Sequence, residues 1–488
     1  MNKPSLWRIE ELCAATGGHA SGCPSVRLDG VSIDSRTVRR GDVFVAIHGK
    51  RNDGHDYVVD AFERGAGLAI VSRESAAMRR AGPLVMVADT LKALQAMARA
   101  ARRRAKACVI AVTGSVGKTT TKEALALCLS TCGPTIASAV SYNNLWGVPL
   151  SLARMPADAR FGVFEVGMNH PGEIAPLAGM LRPHIAMITA IEPSHIGFFR
   201  DLSAIAEAKA EIFIGLELGG VAILNRDTPY FDCLKTAAAA AGAERIVGFG
   251  LDECADARVE RMVLNESWST VTANIMKTPV TYKLGVPGRH LVVNSLAVLA
   301  ACVVAGADLA HAALVLRDLR ALKGRGNHII LDTAGGAITL IDESYNANPA
   351  SMRAALAVLG NTRLAKGGRR IAVLGDMLEL GDKAPRFHKE LAAPIAACDI
   401  DLVHACGSHM VHLWDALEPH RRGVYTQTPD ALYKPLLARF KPGDVVMIKG
   451  SLGSGMGRLV DALCRAFGRS LPSENANIQI KNRDLSQG

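Results

Sequence analysis

The stretch "VIAVTGSVGKTTTKEAL" (residues 109–125) decides the fold of the central part of this chain. An apolar run leads into a loop with two glycines, which is followed by a lysine, three threonines and the spacing of a helix. Where a strand is followed by a glycine-rich loop and then a helix, the backbone amides of the loop and of the helix N-terminus can bind an anion. The stretch therefore predicts a site for a phosphate chain at the edge of a parallel sheet.

The residues of this loop have separate expected roles. Gly114 and Gly117 supply the bends, Lys118 can reach the terminal phosphates, and the Thr119 hydroxyl can bind Mg²⁺. The nucleotide-binding set predicted from the loop is Gly114, Ser115, Val116, Gly117, Lys118, Thr119 and Thr120. Val112 occupies a position where the usual phosphate loop has glycine, so this loop has the shorter pattern T-G-x-x-G-K-T-T.

The composition indicates a soluble chain with several domains. Of its 488 residues, 49% are hydrophobic and 21% are charged, which predicts two to four domains. The formal charge of +10 suits anionic partners such as nucleotides. The basic stretch "ARAARRRAKA" (98–107) lacks RNA-reading aromatic motifs, so no nucleic-acid partner is expected. The longest apolar run (296–307) is too short to span a bilayer, and we expect a cytoplasmic protein without membrane insertion.

The alternation of β-like runs and helical stretches predicts an α/β fold with three domains. Residues 1–106 are expected to form a small α/β domain, and residues 107–320 a central P-loop-type ATPase domain with a parallel sheet. Residues 321–488 are expected to form a Rossmann-like, doubly wound domain. The run from 256 to 287 alternates differently and indicates a small antiparallel sheet.

Three further residues have side chains suited to phosphate chemistry. Glu165 ends the apolar run "FGVFE" (161–165), where Mg²⁺ beside a phosphate loop needs an oxygen ligand, although a helix-capping or ion-paired glutamate would look the same. His195 also follows a predicted strand, where ligands collect in open α/β sheets, but a lone histidine can be purely structural. Lys209 lies in a short predicted helix between two glutamates, as an ordinary solvated lysine would.

The motifs occur in one order along the chain: "TGSVGKTTTK" (113–122), "SYNNLWGVPL" (141–150), "EVGMNHPGEI" (165–174), "SHIGFF" (194–199), "AEAKAEIF" (206–213), "GRHLVVNSLA" (288–297), "KGRGN" (323–327), "DESYNANPASMRAAL" (342–356) and "VLGDMLELG" (373–381). In this order they resemble the Mur ligases, the ATP-dependent amino-acid and peptide ligases of peptidoglycan synthesis. The resemblance covers nearly the whole chain, whereas a phosphate loop alone would be weak support.

The resemblance implies a role for each matching residue. The catalytic group would be Lys118, Glu165, His195 and Lys209. The metal ligands would be Thr119, Glu165, His195 and Lys209, the last as a carbamate that turns a cation into a carboxylate-like group. Contacts to ATP from beyond the loop would come from Asn294, Arg325 and Asp342. Substrate contacts would come from Ser35, Arg36, Asn143, Asn144, Asn346 and Asn348, with "DSR" (34–36) and the stretch 41–57 at the uridine-diphosphate end.

The activity implied by the resemblance is the joining of D-alanyl-D-alanine to the C-terminal carboxylate of UDP-N-acetylmuramoyl-tripeptide. ATP would activate the carboxylate as an acyl phosphate, two Mg²⁺ ions would assist, and the products would be the pentapeptide precursor, ADP and phosphate. The same resemblance suggests a monomer. The identity of the third residue of the tripeptide, lysine or diaminopimelate, stays open.

Two alternatives share parts of this pattern. A ligase similar to folylpolyglutamate synthetase would have the same loop and a Lys209-type residue but would act on a pterin substrate. A regulatory or transport ATPase would hydrolyse ATP without an amine acceptor and would not need Lys209. A GTPase would need an N-K-x-D motif, and "LNRD" (224–227) has Arg226 in place of its lysine.

Overall fold

The computed structural model describes residues 5–21, 26–49, 52–139, 142–333 and 335–469. Three sheets organise these residues, each with its own buried core, and they follow one another along the chain. The expected α/β fold with three domains is confirmed. The polar stretch from 470 to the end, together with Lys50 and Arg51 of the predicted uridine-diphosphate segment, lies outside the described residues.

The first sheet has the strand order β1-β5-β4-β3-β2 and is parallel except for β1. Its strands are β1 (His19–Ser21), β2 (Gly30–Ser32), β3 (Asp42–Val45), β4 (Leu68–Val71) and β5 (Leu84–Met86). Its helices are α1 (Ile9–Thr16), α2 (Val58–Glu63), α3 (Ala76–Ala81) and α4 (Thr90–Arg104). Strands β3 and β4 are buried along their whole length, as expected for parallel strands covered on both faces.

The basic helix α4 turns part of its charge inward and joins the first domain to the second. Arg102 is buried and donates to the backbone oxygens of Leu181 and Arg182, both at 2.7 Å. The guanidinium of Arg104 lies 4.0 Å from the centre of the Trp7 ring and donates to Glu11 at 2.8 Å. Arg102 satisfies carbonyls at the end of a helix and Arg104 covers the face of the Trp7 ring, so both arginines have structural roles.

The central sheet has nine strands in the order β14-β13-β12-β11-β10-β9-β6-β8-β7. The strands are β6 (Cys108–Thr113), β7 (Thr135–Ala137), β8 (Phe161–Glu165), β9 (Ile185–Ile188), β10 (Val221–Asn225), β11 (Arg245–Gly250), β12 (Ala257–Leu264), β13 (Ser269–Ile275) and β14 (Thr278–Leu284). The helices are α5 (Lys118–Ser130), α6 (Gly147–Ala153), α7 (Ile174–Leu181), α8 (Leu202–Ala210), α9 (Phe231–Ala240), α10 (Arg289–Val304) and α11 (Leu309–Val315).

Strands β12 to β14 are antiparallel to one another, as the run from 256 to 287 predicts, but they extend the central sheet and do not form a sheet of their own. The reason is that β12 also pairs with β11, in parallel, through Ala257 and Arg258. Six further residues of β12 continue past the end of β11, a length of roughly 20 Å at the usual rise of a strand. We call residues 257–275 the arm, because they overhang the carboxyl edge of the sheet.

The third sheet has the order β15-β16-β20-β17-β18-β19, and only β15 is antiparallel. Its strands are β15 (Asn327–Thr333), β16 (Gly336–Glu343), β17 (Arg370–Gly375), β18 (Leu402–Cys406), β19 (Arg422–Thr426) and β20 (Val445–Lys449). Its helices are α12 (Pro349–Asn361), α13 (Ala384–Lys389), α14 (Ala392–Ala397), α15 (Val411–Ala416), α16 (Pro429–Arg439) and α17 (Met456–Ala466).

The second and third domains touch through their backbones. The Gly197 amide donates to the Glu379 carbonyl at 3.0 Å. A side chain at Gly197 would put its Cβ 2.7 Å from the Gly381 backbone nitrogen, so only glycine permits this approach. Lys383 adds a bond to the Arg200 carbonyl at 3.3 Å. The carboxyl edge of the central sheet therefore faces the third domain across a cleft.

Candidate active site

A cleft of about 1260 Å³ separates the central and third domains. Its walls combine the phosphate loop, the ends of β8 and β9, the start of α10, the arm tip and the start of α12. The predicted site residues that line it are Ser115, Val116, Gly117, Lys118, Thr119, Thr120, Asn143, Glu165, His195, Asn294, Arg325, Asn346 and Asn348. Residues from distant parts of the sequence thus converge on one volume, as a ligand site in an open α/β sheet requires.

The phosphate loop is held by hydrogen bonds to the segment that follows β9, and its other side lines the cleft. The Ser115 amide donates to the Ala190 carbonyl at 2.8 Å, and the Thr189 hydroxyl donates to the Val116 carbonyl at 2.6 Å. Gly114 and Gly117 have φ values of 149° and 83°, a region that favours glycine. The Lys118 ammonium donates to the Gly114 carbonyl at 2.8 Å and reaches back over the loop.

Lys118 has an environment suited to a group that must meet negative charge. Burial lowers the pKa of its ammonium; the nearby Glu165 opposes that shift, and Arg325 adds to it. Two cations and a carboxylate therefore lie near one another in the cleft, Arg325 from the third domain and the other two from the central domain. An anion placed among them would stabilise both cations.

Glu165 ends β8 and is buried. Its Oε1 accepts a hydrogen bond from Asn143 Nδ2 at 2.8 Å, whereas its Oε2 is buried without a hydrogen-bond partner among the described residues. The backbone amide of Glu165 donates to the Ser138 hydroxyl at 3.1 Å. A fixed carboxylate with one unsatisfied oxygen fits a cation ligand, because a buried oxygen without a partner is costly.

His195 is a bridge between domains. Its backbone has a φ of 56°, and its Nδ1 lies 2.5 Å from Oε2 of Glu379 in the third domain, without the alignment of a full hydrogen bond. Burial lowers the pKa of the His195 imidazole, Glu379 opposes that change, and Lys118 and Lys209 add to the lowering. The sequence did not single out Glu379, because its partner belongs to another domain.

Lys209 lies in α8 and is 2% exposed. Burial holds the pKa of its amine well below the usual range, and the positive charge of Lys118 acts in the same direction. No hydrogen bond or ion pair of this side chain is found within the part of the chain that the structure describes. It is therefore no ordinary solvated lysine, and a buried neutral amine is the form of lysine that reacts with CO₂.

The described residues contain no group of three or more His, Cys, Asp or Glu side chains close enough to hold a metal ion by themselves. A magnesium ion in this cleft would need oxygen ligands from hydroxyls and from phosphate in addition to Glu165. Thr119 supplies such a hydroxyl at the first turn of α5. The residues present fit an ion that arrives with a nucleotide, as Mg²⁺ usually does.

The residues predicted in the third domain divide into two kinds. Arg325 lines the cleft and stacks on the Tyr345 ring, with its guanidinium carbon 4.0 Å from the ring centre. Asp342 is buried and accepts hydrogen bonds from the Gly324 amide at 2.9 Å and the Ser344 hydroxyl at 2.6 Å. Asp342 is not among the residues that line the cleft, and its contacts position the turn that carries Arg325.

The paired asparagines also differ from one another. Asn144 accepts from the amides of Trp146 and Gly147 in the turn before α6, and it is not among the residues that line the cleft. Asn348 lines the cleft but forms a capping box with Ser351 at the start of α12. Asn143 and Asn346, the other members of the two pairs, both line the cleft.

Ser35 and Arg36 are in the first domain and do not line this cleft. Arg36 is exposed and pairs with Asp34 at 2.7 Å, while Ser35 is buried in a short 3₁₀ turn. Their predicted contact with the uridine end of a substrate stays a prediction. No helix among the described residues is long and apolar enough to cross a membrane.

Comparison with known proteins adds family models that cover most of the chain. The model described as "Mur ligase family, catalytic domain" matches residues 27–104. The "Mur ligase middle domain" matches residues 112–302, and the "Mur ligase, glutamate ligase domain" matches residues 324–452.

Individual proteins are similar over nearly their whole length. The UDP-N-acetylmuramoyl-tripeptide–D-alanyl-D-alanine ligase of Rickettsia prowazekii is 33% identical, over 93% of this chain and 99% of that protein. Among solved structures, MurF from Acinetobacter baumannii has a TM-score of 0.81 at 30% identity and covers 94% of this chain and 99% of its own. MurF ligase from Thermotoga maritima in complex with ADP has a TM-score of 0.74 at 27% identity, covering 90% of this chain and 98% of its own.

Proposed function

Because this chain belongs to the Mur ligase family of ATP-dependent ligases, we propose that it joins D-alanyl-D-alanine to UDP-N-acetylmuramoyl-tripeptide. The new bond is an amide between the amine of the dipeptide and the C-terminal carboxylate of the tripeptide, and the other products are ADP and phosphate. The observation that carries the proposal is the convergence of Lys118, Glu165 and Arg325 from two domains on one cleft, in a chain that matches such ligases over nearly its whole length.

The first step activates the carboxylate. One of its oxygens attacks the terminal phosphorus of ATP, the bond from that phosphorus to the bridging oxygen breaks, and ADP leaves. Lys118 and the loop amides neutralise the charge on the transferring oxygens, and Arg325 closes over them from the third domain. Magnesium held by Thr119, Glu165 and phosphate oxygens would supply further neutralisation of this charge.

The second step forms the amide. The free amine of the dipeptide attacks the acyl carbon, and phosphate departs with the pair of electrons of the carbon–oxygen bond, while the amine loses a proton. Asn346 lies in the third-domain wall of the cleft, where it can position the dipeptide. The contact between Gly197 and Glu379 brings this wall to the phosphate loop and restricts water at the acyl phosphate.

Lys209 supports the proposal through its burial. A carbamate on its nitrogen would turn the buried amine into an anion that offsets Lys118 and aligns a metal ion. His195 adds an imidazole to the same region, and the Glu379 carboxylate of the third domain lies beside it. A two-ion site assembled by Glu165, His195 and the modified lysine is the finer part of the proposal.

The competing functions differ in their acceptor. A ligase with a pterin substrate would hydrolyse ATP in the presence of a folate and not of the muramyl tripeptide. A regulatory ATPase would hydrolyse ATP without needing either substrate. We further propose that the enzyme acts in the cytoplasm and that it is a monomer. Sedimentation of the purified chain would test the oligomeric state.

The experiment measures phosphate release by the purified chain with UDP-N-acetylmuramoyl-tripeptide, with and without D-alanyl-D-alanine. We expect release only when both are present, together with a product heavier by the dipeptide minus water. Equal release without the dipeptide would contradict the proposal, and so would release that depends on a folate. Separate assays with the lysine and diaminopimelate tripeptides determine which third residue the enzyme accepts.

A further inference from the structure

A second lysine follows the phosphate loop in the same helix. Lys122 ends the motif "TGSVGKTTTK" (113–122) and lies about one turn of α5 after Lys118. It is not among the residues that line the cleft, and its side chain is completely buried. Because an ammonium is costly to bury, it needs partners inside the protein. The partners of Lys122 therefore indicate what this residue does.

Lys122 connects α5 to the end of β7. Its Nζ donates to the Ser138 carbonyl at 2.6 Å and lies 2.5 Å from Oε1 of the neighbouring Glu123. Strand β7 is an edge strand of the central sheet, and its three residues are all partly exposed. A short, exposed edge strand has little packing of its own to hold its end in place. The bond from Lys122 supplies such a hold, from a helix that begins at the phosphate loop.

Ser138 passes this hold on to Glu165. The Ser138 hydroxyl accepts from the Glu165 amide at 3.1 Å, and the Ser138 amide donates to the Val163 carbonyl at 3.0 Å. The chain then returns to the same glutamate, because Asn143 Nδ2 donates to Glu165 Oε1 at 2.8 Å. Ser138 and Asn143 thus hold Glu165 at its backbone and at its carboxylate.

These contacts join the two elements that would share a magnesium ion. Thr119 is in the first turn of α5, whereas Glu165 ends β8 and has a buried Oε2 without a hydrogen-bond partner among the described residues. Magnesium demands nearly ideal octahedral geometry, so the hydroxyl and the carboxylate must keep a fixed separation. Residues that orient a ligand without touching the metal ion contribute strongly to metal affinity.

We infer that Lys122 is a positioning residue for Glu165, and that it acts through Ser138 to set the place of the carboxylate relative to the phosphate loop. The inference rests on the proposed use of ATP with Mg²⁺ and adds a residue that touches neither the nucleotide nor the peptide. Without the Lys122 bond, the phosphate chain still reaches the loop amides, but the magnesium ion loses a correctly placed ligand. The loss therefore falls on the part of nucleotide affinity that depends on the metal ion.

The test measures the affinity of the full chain for ADP by calorimetry, once with Mg²⁺ and once with EDTA in its place. The ratio of the two dissociation constants is the gain from magnesium. Lys122→Met keeps the length of the side chain and removes its donors, whereas Lys122→Arg keeps donors. Ser138→Ala removes the acceptor of the Glu165 amide. Lys235→Met is the matched control, because Lys235 is exposed in α9.

We expect Lys122→Met to reduce the gain from magnesium by about tenfold, as is usual when a residue that orients a metal ligand is lost. Its affinity for ADP in EDTA should stay within about twofold of the wild type. Ser138→Ala should show the same pattern, Lys122→Arg should keep more of the gain than Lys122→Met, and Lys235→Met should match the wild type. The double variant Lys122→Met/Ser138→Ala should lose little more than Lys122→Met, because both changes act through the same contact.

An unchanged gain from magnesium in Lys122→Met and Ser138→Ala, with native circular dichroism, would overturn the inference and leave the proposed ligation intact. Equal losses of ADP affinity with Mg²⁺ and with EDTA would also overturn it, because they would give Lys122 a purely structural role. If Lys122→Met does not fold, the gain measured for Ser138→Ala decides. A wild type that binds ADP no better with Mg²⁺ than with EDTA would instead contradict the proposed magnesium site, and the inference with it.

Discussion

The central and third domains each contain a strand, a glycine-rich loop and a helix, yet the lysines beside the two loops have different partners. In the central domain the loop after β6 leads into α5; in the third, the loop "GSLGSG" (450–455) joins β20 to α17. In the first loop the amides of Gly117 and Lys118 have no hydrogen-bond partner among the described residues. In the second, the amides of Ser451, Ser454 and Gly455 donate to nearby carbonyls, whereas those of Leu452 and Gly453 have no hydrogen-bond partner among the described residues.

The lysines of the two units differ in their partners. Both lysines line the cleft, but Lys118 donates to a loop carbonyl, whereas Lys449 is 2% exposed and donates to Glu343 Oε2 and the Asn346 carbonyl, both at 3.0 Å. A Cβ at Gly450 would lie 2.5 Å from the Ser454 hydroxyl, so the second loop is filled by its own side chain. Both loops have free amides, as an anion site requires, but only the lysine of the second loop is already held by a carboxylate.

The largest effect that we predict is at Lys118. Lys118→Ala should lower the rate of ligation by about 10³-fold, because the charge on the transferring phosphate loses its closest cation. The fold should be retained, since the side chain makes one hydrogen bond to its own loop. ADP formation and thermal unfolding measure the two properties. Nearly normal ADP formation by Lys118→Ala would show that this lysine has no special role in phosphate transfer, and the two loops would then not differ in function.

Lys209→Ala should also be inactive, and short carboxylic acids such as acetate should restore part of the rate. The physical reason is that a free acid can occupy the space of the proposed carbamate and carry the same charge. Lys235→Ala, on the exposed face of α9, is the matched control and should keep full activity. Full activity of Lys209→Ala without an additive would show that the buried amine has no part in catalysis.

The second unit should respond to mutation through stability. Lys449→Met should lower the free energy of unfolding by about 3 kcal/mol, because it leaves the partly buried Glu343 without its cation. Adding Glu343→Gln should restore part of that loss. Binding of ADP with Mg²⁺ should stay within about threefold of the wild type, as measured by calorimetry. A loss of nucleotide binding as large as that of Lys118→Ala would make the second loop an anion site after all.

The smallest effect is a pH dependence specific to the third domain. Burial lowers the pKa of His404 from 6.5 to about 4, so the unfolded chain takes up its proton first as the pH falls. Above pH 6.5 the histidine is neutral in both states and does not reduce the free energy of unfolding. As the pH falls towards 4, the free energy of unfolding declines, by about 2 kcal/mol between pH 7 and pH 5. Amide exchange of β18 at the two pH values measures it, and His404→Gln should flatten the difference. An equal slope in that variant would assign the effect to other groups.

The sequence predicted the parts of the site that are local and missed those that depend on distant partners. The phosphate loop is local, since its glycines, lysine and threonines are contiguous. The arm was expected as antiparallel strands, but its place in the central sheet depends on the pairing of Ala257 with Phe249, which composition does not encode. Glu379 could not be predicted because its partner, His195, is in another domain.

The paired asparagines show the same limit on a smaller scale. The sequence places Asn143 beside Asn144, but only the folded turn before α6 decides that Asn144 accepts from the Gly147 amide while Asn143 donates to Glu165. Asp342 likewise has the residue type of a ligand, and its two buried hydrogen bonds are visible only once the turn at Gly324 is folded.

The arm has a consequence for how fast the enzyme can begin another cycle. Its root belongs to the central sheet and its tip is bonded to the Arg363 amide of the third domain, so the cleft cannot open there without breaking that bond. A ligand enclosed between the two domains would escape only after they separate, and the pace of that separation would limit turnover.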